Sequence, residues 1–568
     1  MDLKGRPTGE QYESFRLYKD AKRLFRKEQR KMVRKTEEND FKELSEASEI
    51  DHIKFWKYVN RRRKKKRSTN VLTTNDGRTI SNPEEIADVW ANYYEKLLTP
   101  EENTNFDDDF RECIDIEDPI TLKEIEDVLT VLPNNKAPGD DGITYEHIKY
   151  SGDILAAKLL IHYNKIIELE YIPRQFKLGI KIPIPKRGKS CASKFDDHRG
   201  ITLLCTFNKD FERLVLNRLQ NKIRCRPHPL QGAYQAERDA LTTSFVIDES
   251  TKHCCEENDK VFACYVDVSK AFDKVWINGM LFKLYHNVNI RGKCWRVIKG
   301  WYSDMEEYVL YNGKRSRQYN ILQGVRQGGV LSPWLFLLFI DDMISELEKL
   351  STGIVIQNLF VGSPMFADDL TLMSRLKRGL DNMLVQVHEK KIVVLTFGEK
   401  RDNISAITSR RWLIGGKEIM EKSIWHYLGK DWHIDVSSLL PILEAVRKGQ
   451  AISIGLANLG CRFNGMSPLV ATKLWAQIAL PKMLYGAELW TLDREKLSKL
   501  EKVQNIFLRV CLGLLSGTSG SAARRLLGLW TVGAEIDKRK LLFLRRLICA
   551  SEDCVHCRVF MIRLNRWR

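Results

Sequence analysis

Two apolar runs that end in acid constrain this chain more than any other feature. Val261-Phe262-Ala263-Cys264-Tyr265-Val266 is a β-prone run that delivers Asp267 at its end and passes through Val268-Ser269-Lys270-Ala271-Phe272-Asp273 into a helix. Further on, Pro364-Met365-Phe366-Ala367-Asp368-Asp369-Leu370-Thr371-Leu372-Met373 sets two adjacent acids between two β-prone runs, as the turn of a hairpin would. A carboxylate at such a position projects from a rigid element into a cleft. Taken singly, each has an ordinary explanation. Asp267 suits a helix N-cap, and adjacent acids also occur at Asp107-Asp108, Asp140-Asp141, Asp196-Asp197 and Asp341-Asp342.

The combination is what carries chemistry. Neighbouring carboxylates repel, so the pair demands a cation or a raised pKa. A strand-end Asp and a hairpin Asp-Asp can converge from adjacent strands on one Mg²⁺ site, because hard oxygen ligands are what Mg²⁺ takes. Two such ions roughly 3.5–4 Å apart activate an attacking 3′-hydroxyl and stabilise a leaving pyrophosphate, so the reaction class indicated is nucleotidyl transfer.

Around these runs, residues 120–400 alternate apolar β-rich segments with helical ones. The spacing predicts strands over 180–184, 261–266 and 393–397 and an α+β or α/β core sheet. A helix is predicted from Pro83 to Leu98, capped by Ser81 or Asn82, after a turn at Asn75-Asp76-Gly77. Before this region comes a charged arm in which Tyr18, Leu24, Phe25, Met32 and Val33 recur at roughly helical spacing. The arm closes in Arg61-Arg62-Arg63-Lys64-Lys65-Lys66-Arg67, which reads as an exposed linker, a nuclear-import signal or a phosphate contact. Beyond about residue 440 the pattern is mostly helical. Trp425, Trp432, Trp475 and Trp490 sit in apolar surroundings that suit core residues better than base-stacking platforms.

The chain of 568 residues carries 92 Lys plus Arg against 74 Asp plus Glu, a net charge of +18 that favours polyanionic partners. Its longest apolar stretch, residues 334–340, is far short of the ~18 a membrane span needs, so no membrane partner is expected. The 13 cysteines lack a framework spacing and suit reduced thiols. Cys549, Cys554, His556 and Cys557 give only one Cys-x-x-Cys, a weak zinc signal.

Ala271-Phe272-Asp273-Lys274-Val275, Gly324-Val325-Arg326-Gln327-Gly328-Gly329-Val330-Leu331-Ser332-Pro333 and Phe366-Ala367-Asp368-Asp369 occur in this order. Together they resemble the palm motifs of reverse transcriptases from non-LTR (LINE-type) retrotransposons. Asn135-Lys136-Ala137-Pro138-Gly139-Asp140-Asp141-Gly142, Ile184-Pro185-Lys186, Asp197-His198-Arg199-Gly200-Ile201-Thr202, His426-Tyr427-Leu428-Gly429 and residues 481–490 extend the resemblance over roughly residues 70–545.

The resemblance implies an α+β right-hand polymerase with fingers, palm and thumb and an antiparallel palm sheet, flanked by an N-terminal helical arm and an α-helical C-terminal region. The division expected is a basic arm over 1–70, fingers and palm over 71–430, a helical thumb and C-terminal region over 431–545, and a tail over 546–568. It implies an RNA-directed DNA polymerase with template RNA, primer or target DNA and dNTPs as partners, and two Mg²⁺ ions held by Asp267, Asp368 and Asp369. Phe272 matches a steric gate beneath the sugar, Gln327 and Gly328 the loop lining nucleotide and template, and Lys186 and Arg199 the triphosphate contacts. Nuclear residence, with a cytoplasmic ribonucleoprotein phase, follows from the presumed target and the basic run. Oligomeric state is left open.

The sequence also departs from the family pattern. No endonuclease region is expected ahead of the polymerase, residues 380–397 look shortened, and Ala233-Tyr234-Gln235 replaces the usual Gly-Phe-Arg. A polymerase-fold relic that binds nucleic acid without catalysis is the competing reading. A group II intron maturase is disfavoured by the Ala-Phe-Asp-Lys-Val wording.

Overall fold

The computed structural model describes residues 12–62, 71–74, 76–100, 118–186, 193–222, 227–268, 270–385, 391–398, 411–414, 417–435 and 439–566. Residues 63–67 of the basic run, Asn75 of the expected turn, and residues 386–390 of the shortened segment lie outside these. The chain forms two compact units, one of Met1–Lys65, Gly429–Asp431 and Ser437–Arg546, the other of Lys66–Leu428, Trp432–Val436 and Leu547–Arg568.

The first unit is helical. A helix over Glu13–Ile50 leaves Leu17, Leu24, Phe25 and Met32 exposed and buries Leu44 and Ala47 near its end. Asp51 breaks it and caps the next helix, His52–Arg62, its Oδ1 accepting from the N–H groups of Ile53 and Lys54 at 3.0 Å each. Phe55 and Val59 from that helix join Ile442, Leu456, Trp475, Leu500 and Phe507 in one core, where Trp475 stacks on Phe507 at 4.6 Å. The division expected from sequence set residues 1–70 apart from 431–545. By contact, the arm's second helix, through Phe55 and Val59, packs with the helices of Ser437–Arg546 in one unit.

The second unit holds two four-stranded sheets. One, in the order His198–Leu204, Leu178–Pro185, Met305–Tyr311, Lys314–Ile321, has a parallel pair at its centre and antiparallel pairs outside. At its heart lies a fully buried ion pair. Lys181 Nζ is 3.3 Å from Glu307 Oε2, Glu307 also accepts from Thr202 Oγ1 at 2.8 Å and Tyr319 OH at 3.1 Å, and Lys181 lies over the Tyr94 ring. The buried charge is tolerable because Lys181 also donates to Thr202 Oγ1 at 3.2 Å and both Glu307 oxygens accept hydrogen bonds.

The other sheet is wholly antiparallel, in the order Met365–Phe366, Asp369–Ser374, Val261–Asp267, Lys391–Phe397. The expected strands at 180–184, 261–266 and 393–397 are all present. So is the helix Pro83–Leu97, whose cap is Asn82, its side chain accepting from Glu84 N. The chain does not pass directly from Asp267 into a helix. Lys270 takes a positive φ of 57°, a 3₁₀ turn covers Phe272–Lys274, and the helix begins at Ile277. The delay has a cause: Val325 N–H donates to Phe272 O and Gly324 N–H to Val275 O, tying this segment to the loop before the helix Ser332–Lys349.

The tail from Leu547 also belongs to this unit. Its helix Val555–Arg566 lies along the helix Ala240–Glu256, where Arg563 makes two 2.7 Å bonds to Glu256 and one of 3.0 Å to Glu249. Among the described residues no helix is long and apolar enough to cross a membrane. Trp432 and Trp475 are buried.

Candidate active site

Antiparallel pairing sets the central geometry. Asp369 is the direct register partner of Asp267 on the neighbouring strand, and Asp368 occupies the two-residue turn joining Met365–Phe366 to Asp369–Ser374. Three carboxylates from distant parts of the sequence therefore share one end of one sheet. They feel one another. Burial first, then the charge of Asp267, pushes Asp368 above the usual carboxylate range, with Arg199 opposing. Burial, followed by Asp368 and Asp267, pushes Asp369 up to about 7.

An all-carboxylate donor set of this kind matches a hard divalent cation, whose charge would offset the repulsion that raises these pKa values. As the side chains stand, no three His, Cys, Asp or Glu groups among the described residues close around a single point. The fit is thus one of chemistry and backbone placement.

Of the expected nucleotide-binding residues, Arg199 acts on the carboxylates, through Asp368. Phe272 is half-buried and stacks on Phe336 at 4.5 Å, with the Tyr234 ring edge-on at 6.4 Å. Arg199 is exposed on the strand opposite Ile184 and close enough to act on both Asp368 and Tyr234. Lys186 is exposed just past the end of the adjoining strand, its N–H donating to Asp197 O at 2.8 Å. Among the described residues it makes no contact with the carboxylates.

Gln327 is held at two points. Its carbonyl accepts from Thr202 N at 2.8 Å, and its Nε2 donates to Asp273 Oδ2 at 3.3 Å. Asp273 is buried, which raises its pKa, while Lys181 opposes the shift. Gly328 is required by close approach: its φ is +146°, and a Cβ there would fall 2.1 Å from Thr202 O. The loop carrying Gln327 and Gly328 therefore rests on a strand of the other sheet.

Two residues that sequence reading passed over also stand at this site. Tyr234, whose segment was noted only as a departure from the family pattern, is exposed, has a φ of 53° and sits within electrostatic reach of Asp368. Gln231 is fully buried, and its Oε1 accepts from the N–H of Ala367, in the carboxylate turn. No local sequence signal marks Gln231, because its partner lies far along the chain. Among the described residues no three of Cys549, Cys554, His556 and Cys557 are grouped to hold a metal ion, and the described cysteines are free thiols.

A strand-end Asp registered against a hairpin Asp-Asp is the arrangement expected from the sequence. Residues 184–394 match the family model described as reverse transcriptase (RNA-dependent DNA polymerase). The chain is similar to RNA-directed DNA polymerases of non-LTR retrotransposons. It is 24% identical to "RNA-directed DNA polymerase from mobile element jockey" of Drosophila melanogaster over 69% of this chain and 43% of that protein. Against "Probable RNA-directed DNA polymerase from transposon X-element" of the same organism it is 24% identical over 80% of this chain and 51% of the relative. Against "Probable RNA-directed DNA polymerase from transposon BS", also of Drosophila melanogaster, the figures are 28%, 47% and 30%. The chain thus spans about half or less of the length of these relatives. A truncated apo telomerase from Candida tropicalis aligns over 49% of this chain and 59% of that one, at 13% identity and a TM-score of 0.32, too weak a likeness to add to the argument.

Proposed function

We propose that this chain is an RNA-directed DNA polymerase, extending a DNA 3′-end on an RNA template with dNTPs. The observation that carries the reading is the register pairing of Asp267 with Asp369, with Asp368 in the adjoining turn. In this reading the residues 71–430 make fingers and palm of a right-hand polymerase, and helices beyond them make the thumb.

Asp267 and Asp368 would hold Mg²⁺ through carboxylate oxygens, with Asp369 adding charge beside them. Bound there, two such ions would supply charge to activate the 3′-hydroxyl and offset the departing pyrophosphate. The O3′–Pα bond forms as the bond to the leaving pyrophosphate breaks. Phe272 places a ring beneath the sugar and excludes a 2′-hydroxyl. Gln327 and Gly328 present backbone to the base pair, Gly328 allowing close approach. Arg199 and Lys186 answer the triphosphate charge, the first as a fork and the second as a point charge. The net charge of +18 favours a nucleic-acid duplex. Nuclear residence is part of the same proposal, since the DNA target lies there.

Incorporation of dNTPs on a primed RNA template with Mg²⁺ tests this, beside an Asp368→Ala, Asp369→Ala double variant. Activity that vanishes in the double variant is the expected outcome. A folded wild type that binds the primed template and incorporates nothing would overturn the reading and leave the non-catalytic relic.

A further inference from the structure

The turn carrying Asp368 is not self-supporting. Ala367 adopts a φ of +56°, a conformation an L-residue rarely takes unless surrounding structure holds it. The strand Met365–Phe366 is two residues long and lies at the sheet's edge. What braces it is the segment 230–233. Met365 N–H donates to Leu230 O at 3.0 Å, Gly232 N–H donates to Met365 O at 2.7 Å, and Gln231 forms a parallel bridge with Met365.

The Gln231 side chain then reaches past the strand into the turn. Its Oε1 accepts from Ala367 N–H at 3.0 Å and from Ala233 N–H at 3.1 Å. Two N–H donors on one atom identify it as the amide oxygen. Its Nε2 is buried without a partner among the described residues, so the amide is held by its acceptor end alone.

The bracket is itself rigid. Gln231 O accepts from Gln235 Nε2 at 2.6 Å and from Arg238 Nη1 at 3.1 Å, and Arg238 also bonds the carbonyl of Pro229 at 3.2 Å. Gly232 lies so close to the helix Ala240–Glu256 that a Cβ would fall 2.0 Å from Thr243 Oγ1. A rigid segment thus clamps a strained turn whose next residue is a carboxylate.

We propose that Gln231 is a positioning residue for the metal-binding carboxylates, acting through the Ala367 N–H to set the turn that aims Asp368 and Asp369. The proposal rests on the reading of those two residues as metal ligands, and its test separates the two. Gln231→Met keeps size and removes the acceptor. Gln231→Glu keeps an acceptor oxygen at the same reach.

Backbone hydrogen exchange is followed in metal-free protein over residues 364–370, with the helix Ser332–Lys349 as the internal reference for an intact fold. Mn²⁺ binding is followed separately by electron paramagnetic resonance, and dNTP incorporation beside both. For Gln231→Met the expected result is faster exchange confined to the turn, Mn²⁺ binding weakened about tenfold, and a fall in kcat with little change in dNTP KM, as displacing a reacting group by about 1 Å produces. Gln231→Glu is expected to retain the turn's protection.

Wild-type exchange and Mn²⁺ binding in the Met variant would overturn the proposal. Loss of protection throughout the reference helix would also overturn it, since Gln231 would then serve the fold as a whole. If Gln231→Met shows the exchange and Mn²⁺ effects while the wild type itself incorporates no dNTP, the positioning role stands and the polymerase reading alone is defeated.

Discussion

Asp267 and Asp369 face each other across an antiparallel pair, register partners at the end of neighbouring strands. With Asp368 beside them they concentrate negative charge in a partly buried corner, a cost to the fold that serves a charged ligand. Asp369→Asn is expected to raise the melting temperature of metal-free protein at pH 8 by a few degrees while abolishing dNTP incorporation. Thermal unfolding in a chelating buffer, beside the template assay, checks both halves.

Gly328 sits against Thr202 with no room for a side chain. Gly328→Ala should cost on the order of 2–4 kcal/mol, from a strained φ plus overpacking against a carbonyl. The dNTP KM should rise by a larger factor than in variants remote from the loop. Denaturant unfolding and steady-state kinetics on the same preparation measure the two effects.

Phe272 presents its ring between Phe336 and the edge of Tyr234. Phe272→Val removes bulk beneath the expected sugar position while keeping a β-branched apolar residue. Ribonucleotide incorporation relative to dNTP should increase by about tenfold or more, since steric exclusion of one hydroxyl is worth only a few kcal/mol. Unchanged discrimination in an active variant would remove Phe272 from the gate role.

Asp210 is buried in the helix Thr206–Lys222 with neither carboxylate oxygen hydrogen-bonded among the described residues, and burial pushes its pKa up to about 7. A raised carboxyl pKa means the folded state binds the proton more tightly than the unfolded chain. Stability should therefore fall as pH rises from about 4 to about 7 and level off above. Asp210→Asn should flatten that slope and stabilise the protein most above pH 7. Unfolding free energies at pH 5, 6, 7 and 8 give the comparison.

Arg563 is buried in the tail helix between Glu249 and Glu256, whose hydrogen bonds raise its already high pKa further, Glu256 most. Arg563→Ala leaves both carboxylates without that partner. A loss of about 1–3 kcal/mol is expected, reduced by the partial exposure of Glu256. Limited proteolysis should cut the variant's tail helix sooner than the wild type's.

Much of this architecture is local information. Apolar runs ending in acid, the Asn82 cap ahead of Pro83, and the helix start at Ser332-Pro333 lie in contiguous residues whose backbone preferences and hydrogen-bonding needs are visible in order. The carboxylates themselves were readable because a strand's end and a hairpin's turn each leave a contiguous signature. The resemblance then supplied roles for Phe272, Gln327 and Gly328, and of the expected nucleotide contacts Arg199 lies within electrostatic reach of Asp368.

What tertiary structure alone decided are the relationships made by hydrogen bonds across long separations. The sequence by itself determined which residues are strands, which are acids and which glycines interrupt them. It did not determine that Asp369 meets Asp267 and not a neighbour, because a register shift by one residue leaves the composition of both strands unchanged. Nor did it determine that Gln231 closes on Ala367, that Gly328 rests on Thr202, or that the N-terminal arm shares a core with helices beyond residue 440. Those pairings depend on where buried backbone groups find partners once the whole chain is folded.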